Sequence, residues 1–326
     1  MIRKGKSMSR LSAIALSMLL VFGGVRLIMP LLEDSTLDTV TFRYTQTGES
    51  SQLYSEPISE RLPLGVWWWH REDESVRYLE FVAAQGVSEI YYAAKLNDSS
   101  GSKAEIRGFV SAARKLGIDV YYLTGDYSWI HDDTQLIRRF EAFSDYQRSS
   151  HEAERFAGIQ LDVEPHQDPN WSDATRNELL QKYIDLIVRT TDYFGPVDWV
   201  VPFWYREQES DLVDYRGSPE YLYRAVMLEA NRLFVMSYRD TAQRMYDTAR
   251  HYVEFAREQN RPIFLSALAH HGGENPENRH VYFYHRGYDY MMSELNLLCE
   301  MVDYPALGIA VHELRGWYQM WEQSLR

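Results

Sequence analysis

Two carboxylates in the run FAGIQLDVEPH, Phe156 to His166, invite a chemical reading. Asp162 and Glu164 stand two residues apart in a stretch otherwise apolar enough for a buried strand, just ahead of Pro165. Alternate residues of a strand share a face, so Gln160, Asp162 and Glu164 line one side and Ile159, Leu161 and Val163 the other. Burying a carboxylate is costly unless it is paired. Two on one face raise the pKa of one of them, which would keep Glu164 protonated beside an ionised Asp162. Cleavage of a glycosidic bond needs such a proton donor at the leaving oxygen, together with support for positive charge at the anomeric carbon. Two residues of strand rise about 6.6 Å, a spacing that leaves inverting and retaining geometries both open.

The elements that would position this pair recur along the chain. GVWWWH, SEIYYAAK, IDVYYLTG, FAGIQLDVE, DWVVPFWY, RLFVMSY, PIFLSALAH and LGIAVHE read as strands. Helical patterns fall between them, including segments near 133–149, 173–194, 218–230, 241–259, 284–302 and 314–324, with Gly86 and Gly117 as stop signals for the first two helices. Eight strand–helix units in about 260 residues predict an α/β fold, a (β/α)8 TIM barrel over residues 65–326. The competing open doubly wound sheet usually has fewer units and a Gly-rich phosphate loop after its first strand, and none is present.

In a barrel, polar side chains at the C-terminal strand ends project into the mouth. That places Asp162 and Glu164 there. With them come His70, Lys95, Asn97, Asp126, Trp129, Trp204, Tyr205, Tyr238, Asp240, His270, His271, His312 and Glu313 at the other strand ends. We expect Glu164, Asp162 and Tyr238 to be catalytic. We expect Gln160, Trp69, His70, Tyr92, Asp126, Trp129, Trp204, Tyr205, Asp240, His312 and Trp317 to bind substrate. Nine Trp and 24 Tyr fit either a well-filled core with amphipathic surface tyrosines or a carbohydrate site, because the flat C–H faces of sugars stack on aromatic planes.

Composition removes other classes. The single cysteine, Cys299, excludes an intrachain disulfide and a Cys-based zinc site, and its helical context reads as a core thiol. No H-x-H or H-E-x-x-H spacing supports a metal-dependent hydrolase built on His70, His166, His270, His271 and His312, so neither a metal nor a cofactor is expected. The formal charge is −13, and residues 1–26 hold five positive charges (Arg3, Lys4, Lys6, Arg10 and Arg26) and no negative one, leaving −18 for the rest. So acidic a domain is a poor partner for nucleic acid or for anionic membrane surfaces.

The N-terminus has its own pattern. MIRKGKSMSR is basic, and the run from Leu11 to Leu32, about 22 residues interrupted only by Arg26, is long enough to span a bilayer. Residues 1–32 are therefore expected to be a signal or membrane anchor with its basic end inside, and 33–64 a spacer. The barrel would then lie outside the cytoplasm, anchored at the cell membrane, or secreted if the segment is cleaved.

GIQLDVEP at the fourth strand and VMSYRD at the sixth resemble the chitinase-like family 18 glycoside hydrolases, whose motifs are DGxDxDxE and M-x-Y-D. The resemblance implies that Glu164 is the acid and that Asp162 orients the substrate N-acetyl group. It also implies that Tyr238 holds the acetamido group and that Asp240 is the following aspartate, with Arg239 inserted between them. The acetamido oxygen would then be the nucleophile. Ala157 and Gln160 stand where the family has aspartates, LTGD replaces its Ser-x-Gly-Gly signature, and His312 occupies the region of its strand-eight Trp. A glutamine can hydrogen-bond Asp162 but cannot share a proton with it. LDVEP is also similar to the Asp-x-Glu of family 25 lysozymes. The expected function is an extracytoplasmic glycoside hydrolase acting on a polysaccharide or cell-surface glycan, with N-acetyl-amino sugars as the implied substrate. The alternatives are a glycan-binding barrel that has lost catalysis and, behind it, a metal-dependent hydrolase built on the histidines.

Overall fold

Period-two alternation decides which side chains fill the barrel and which face the helices. A computed structural model of the chain describes residues 62–69, 76–96, 100–272 and 276–326. The first four strands are β1 (Leu64–Trp68), β2 (Glu89–Tyr92), β3 (Asp119–Thr124) and β4 (Gly158–Leu161). They are followed by β5 (Asp198–Pro202), a hairpin of β6 (Leu212–Tyr215) and β7 (Ser218–Tyr221), then β8 (Leu233–Met236), β9 (Ile263–Leu268) and β10 (Leu307–His312). The barrel closes in the order β1-β10-β9-β8-β5-β4-β3-β2, with every neighbouring pair parallel.

Helices α1 (Val76–Ala84), α2 (Ser100–Lys115), α3 (Thr134–Ser149) and α4 (Arg176–Phe194) connect the first five strands. Then come α5 (Leu222–Glu229), α6 (Ala242–Gln259), α7 (Tyr288–Val302) and α8 (Leu314–Ser324). Gly86 and Gly117 stand just after α1 and α2 with φ of 74° and 78°, a conformation that costs glycine little. Among the described residues no helix is long and apolar enough to cross a membrane. The segment expected to be an anchor, residues 1–32, and nearly all of the 33–64 spacer lie outside the described residues.

One helix start differs from expectation. The segment near 218–230 begins as strand, because Arg216 and Gly217 both take positive φ, 51° and 85°, and turn β6 into β7. Such two-residue turns suit hairpins. The helix proper starts only at Leu222.

Odd and even positions separate cleanly. Ile159, Leu161 and Val163 join the core between strands and helices, whereas Trp67, Tyr91, Leu123, Val200, Phe234, Met236, Phe264 and Ala310 fill the barrel interior. Interior rings are accommodated by missing side chains: a Cβ on Gly308 would meet Phe264 Cε1 at 2.3 Å.

The N-terminal end of the barrel is closed by ions. Arg232, just before β8, places Nη1 2.8 Å from both carboxylate oxygens of Glu89 and Nη2 2.6 Å from Asp198 Oδ2. Its guanidinium lies 4.4 Å from the Tyr121 ring centre, and Tyr91 Oη donates to Glu89 at 2.7 Å. Arg232→Ala strands two buried carboxylates and is expected to cost about 3–5 kcal/mol in urea unfolding. Replacing all three ionic groups together (Glu89→Gln, Asp198→Asn, Arg232→Met) should cost less. A loss below about 1 kcal/mol for Arg232→Ala would contradict this account of the barrel floor.

Candidate active site

Past its last ladder residue, β4 continues inward with Asp162 and Glu164. Asp162 N donates to Thr124 O at 3.0 Å, which extends the β3 contact by one residue. Gly125 makes this approach feasible, since a Cβ there would fall 1.7 Å from the Asp162 carbonyl oxygen. The glycine of LTGD is thus required by the backbone beside the site.

Glu164 opens a tight turn, Pro165–Gln167, in which Gln167 N donates to Glu164 O at 2.9 Å. The Gln167 side-chain amide also donates to Glu164 Oε2. The turn is held from below by Asp168, which is bonded to His131 Nε2 at 2.5 Å and accepts from Asn170 N at 2.7 Å. Glu164 is left only 17% exposed.

Burial raises the Glu164 pKa, and the negative field of Asp162 raises it further against the opposing hydrogen bond from Gln167. Burial raises Asp162 as well, and Asp162 Oδ1 has no hydrogen-bond partner among the described residues. His166 Nε2 lies 3.6 Å from Glu164 Oε1, but burial, helped by Arg176, pushes its pKa down to about 4. At neutral pH it is an uncharged neighbour. A pair of desolvated carboxyls with no charged cation on either one among the described residues favours a shared proton.

Next to the carboxyl pair stand neutral, aromatic groups. Burial, followed by the fields of Asp162 and Glu164, holds the Tyr238 phenol well above its ordinary pKa, so its hydroxyl keeps its proton. Its ring centre is 5.8 Å from that of His312. His312 Nε2 accepts from Trp69 Nε1 at 2.9 Å, and burial pushes the imidazole down to about 3. Trp67 Nε1 donates to Gln160 Oε1 at 2.7 Å, while Gln160 Nε2 has no hydrogen-bond partner among the described residues. Gln160 therefore spends its oxygen on Trp67 and makes no bond to Asp162. Trp204 sets its ring 4.9 Å from His166, beside the carboxylate turn.

The structure thus gathers Asp162, Glu164, Tyr238, Gln160, Trp69, Trp204 and His312 around one mouth. Several other expected ligands sit elsewhere. Tyr92 packs on Phe109 at 4.6 Å in the helix layer, because its neighbour Tyr91 takes the interior side of β2. Trp317 is fully buried on α8, 5.5 Å from Phe81. Trp129 and Tyr205 are also core residues, apolar bulk winning over the polar atom. Asp126 caps the turn Tyr127–Ile130 by accepting from Ser128 N at 2.8 Å. Asp240 is engaged by Arg244 and Arg286. His70 and Asn97 lie outside the described residues. Trp67, Gln167 and Gly125 were not singled out from sequence, although period two in WWW places Trp67 on the face of Trp69. Among the described residues no group of three His, Cys, Asp or Glu is placed to hold a metal ion.

No protein-family model matches the chain, and no curated protein matches it. Solved structures are similar to it in fold. A candidate alpha-L-fucosidase from Bacteroides thetaiotaomicron has a TM-score of 0.50 at 10% identity, covering 84% of this chain and 97% of its own. The spore cortex-lytic enzyme SleL of Bacillus cereus has a TM-score of 0.46 at 10% identity, with 80% and 74% covered. An endo-beta-1,4-mannanase from Thermotoga petrophila has 0.46 at 11%, with 78% and 68% covered. At such identity the likeness is one of fold, an eight-strand parallel barrel.

The raised carboxyls have a consequence for stability. A carboxyl whose pKa is raised by folding contributes fully below its unfolded value, about 4, and that contribution is lost as pH climbs through the raised folded value. Asp162→Asn and Glu164→Gln should therefore each be more stable than wild type at about pH 9, by on the order of 1–3 kcal/mol, and the gain should fade toward pH 4. Chemical denaturation at several pH values reads this. Variants less stable than wild type at alkaline pH would mean that the carboxylates serve the fold.

Proposed function

We propose that the chain is a glycoside hydrolase acting on a polysaccharide, with Glu164 as general acid and Asp162 as the orienting carboxylate. The observation that carries the reading is the adjacent pair of desolvated carboxyls at the mouth end of β4, with no charged cation paired to either among the described residues. The fold likeness to a candidate alpha-L-fucosidase, at a TM-score of 0.50, is in keeping with it.

On an N-acetyl-amino sugar, protonated Glu164 gives its proton to the glycosidic oxygen as the C1–O bond breaks. The acetamido oxygen bonds to C1 and carries the positive charge into a ring whose N–H faces ionised Asp162. The Tyr238 hydroxyl donates to that acetamido oxygen before attack and orients it. Glu164, now a carboxylate, takes a proton from the incoming water, which opens the ring at C1 and restores the acid. Trp69, Trp204 and neutral His312 offer flat or uncharged surfaces to the sugar.

Glu164→Gln keeps volume and hydrogen bonding but removes the proton, and turnover on the best glycan of a panel should fall about 10²–10⁴-fold. Asp162→Asn should also slow turnover. By removing the negative neighbour that raises Glu164, it should move the basic limb of the kcat/KM profile to lower pH. Unchanged turnover in a folded Glu164→Gln protein would sink this reading. Glycan affinity with no turnover in wild type would instead point to the binding barrel, in which Gln160 is locked on Trp67.

A further inference from the structure

A cleft of about 370 Å³ opens between the loop after β8 and the loop after β9, lined by Asp240, Arg244, Arg279, His280, His285 and Arg286. Both loops leave the C-terminal ends of barrel strands, the end that carries Asp162 and Glu164. The loops are tied together by Asp240 N, which donates to His280 O at 3.0 Å. Asp240 lies two residues beyond Tyr238, roughly 7 Å of extended chain. The cleft therefore adjoins the candidate active site.

Its charge is unbalanced. Three guanidiniums face one carboxylate. Asp240 is buried, with Oδ1 3.3 Å from Arg244 and Oδ2 3.0 Å from Arg286. It offsets one positive charge and at the same time fixes two of the three donors in place. Arg239 stands within the fields of Arg206 and of the cleft's Arg244. Burial first, and then the charges of Arg206 and Arg244, hold the Arg239 guanidinium below its ordinary value. In a chain with a formal charge of −13 this local excess runs against the net charge. Guanidinium forks match carboxylate, sulfate and phosphate geometry, with charge-assisted bonds stronger than neutral ones.

We propose that this cleft is a subsite for an anionic group on the glycan, a carboxylate, sulfate or phosphate carried by a sugar near the cleaved bond. The proposal rests on the glycosidase reading and deepens it: the substrate is an acidic polysaccharide.

The test uses the full-length Glu164→Gln protein, so that binding is read without turnover. Three matched probe pairs are compared: an oligogalacturonate and its carboxyl-reduced counterpart, a sulfated oligosaccharide and its desulfated form, and a phosphorylated one and its dephosphorylated form. For at least one pair the acidic member should bind about tenfold tighter or more, and the pair that discriminates identifies the anion. That preference should shrink with added salt and fall about tenfold when Arg244→Gln and Arg279→Gln are added. The subsite is overturned if no pair discriminates, or if the preference persists undiminished in the folded arginine variants. Either result leaves the Glu164 chemistry standing, whereas full turnover by Glu164→Gln would remove that chemistry and leave the subsite.

Discussion

The cost of keeping two carboxyls out of water without a cation is the constraint on which the mouth of this barrel is built. Asp162 and Glu164 sit on one face of β4 and its extension, with their pKa values raised by burial. A protein selected for stability alone would pair such groups or replace them. The same barrel does so at its other end. There Glu89 and Asp198 share Arg232 across hydrogen bonds of 2.6–2.8 Å. One end is closed around a shared cation, and the other is left with a proton to move. Chemistry that needs an acid at neutral pH requires the second arrangement.

Several described neighbours that could have supplied charge to the pair are held neutral. His312 and His166 could each have supplied a counter-charge, but burial holds both imidazoles neutral. Tyr238 keeps its proton, Trp67 occupies the oxygen of Gln160, and Gln167 offers only a dipole to Glu164. Three guanidiniums stand instead at the cleft between the β8 and β9 loops.

Much of this was legible in the sequence because barrels convert chain periodicity into position. Each of the eight barrel strands falls within or overlaps a segment expected from apolar runs between helical patterns, and period two put Gln160, Asp162 and Glu164 on the face opposite Ile159, Leu161 and Val163. The errors came where polarity competed with bulk. Tyr92, Trp129, Tyr205 and Trp317 carry polar atoms at strand ends or in nearby elements, yet their rings lie in the core. A strand-end aromatic is pulled inward or outward by which neighbour already fills the barrel, and that depends on packing between distant strands. The Arg216–Gly217 hairpin was missed because the residues around it also fit a helix start. Gly125 could not be read at all, since its need is set by the Asp162 carbonyl across the β3–β4 step.

The most direct test of the account is the titration of the two carboxyls themselves. Carbon-13 NMR of the side-chain carboxyl carbons, assigned by difference with Asp162→Asn and Glu164→Gln, follows each group through pH. The account predicts that both titrate well above the ordinary carboxylate range of about 4, and that the Glu164 midpoint falls once Asp162 is an amide. Two independent midpoints in the ordinary range, unmoved by amidation of the neighbour, would contradict it.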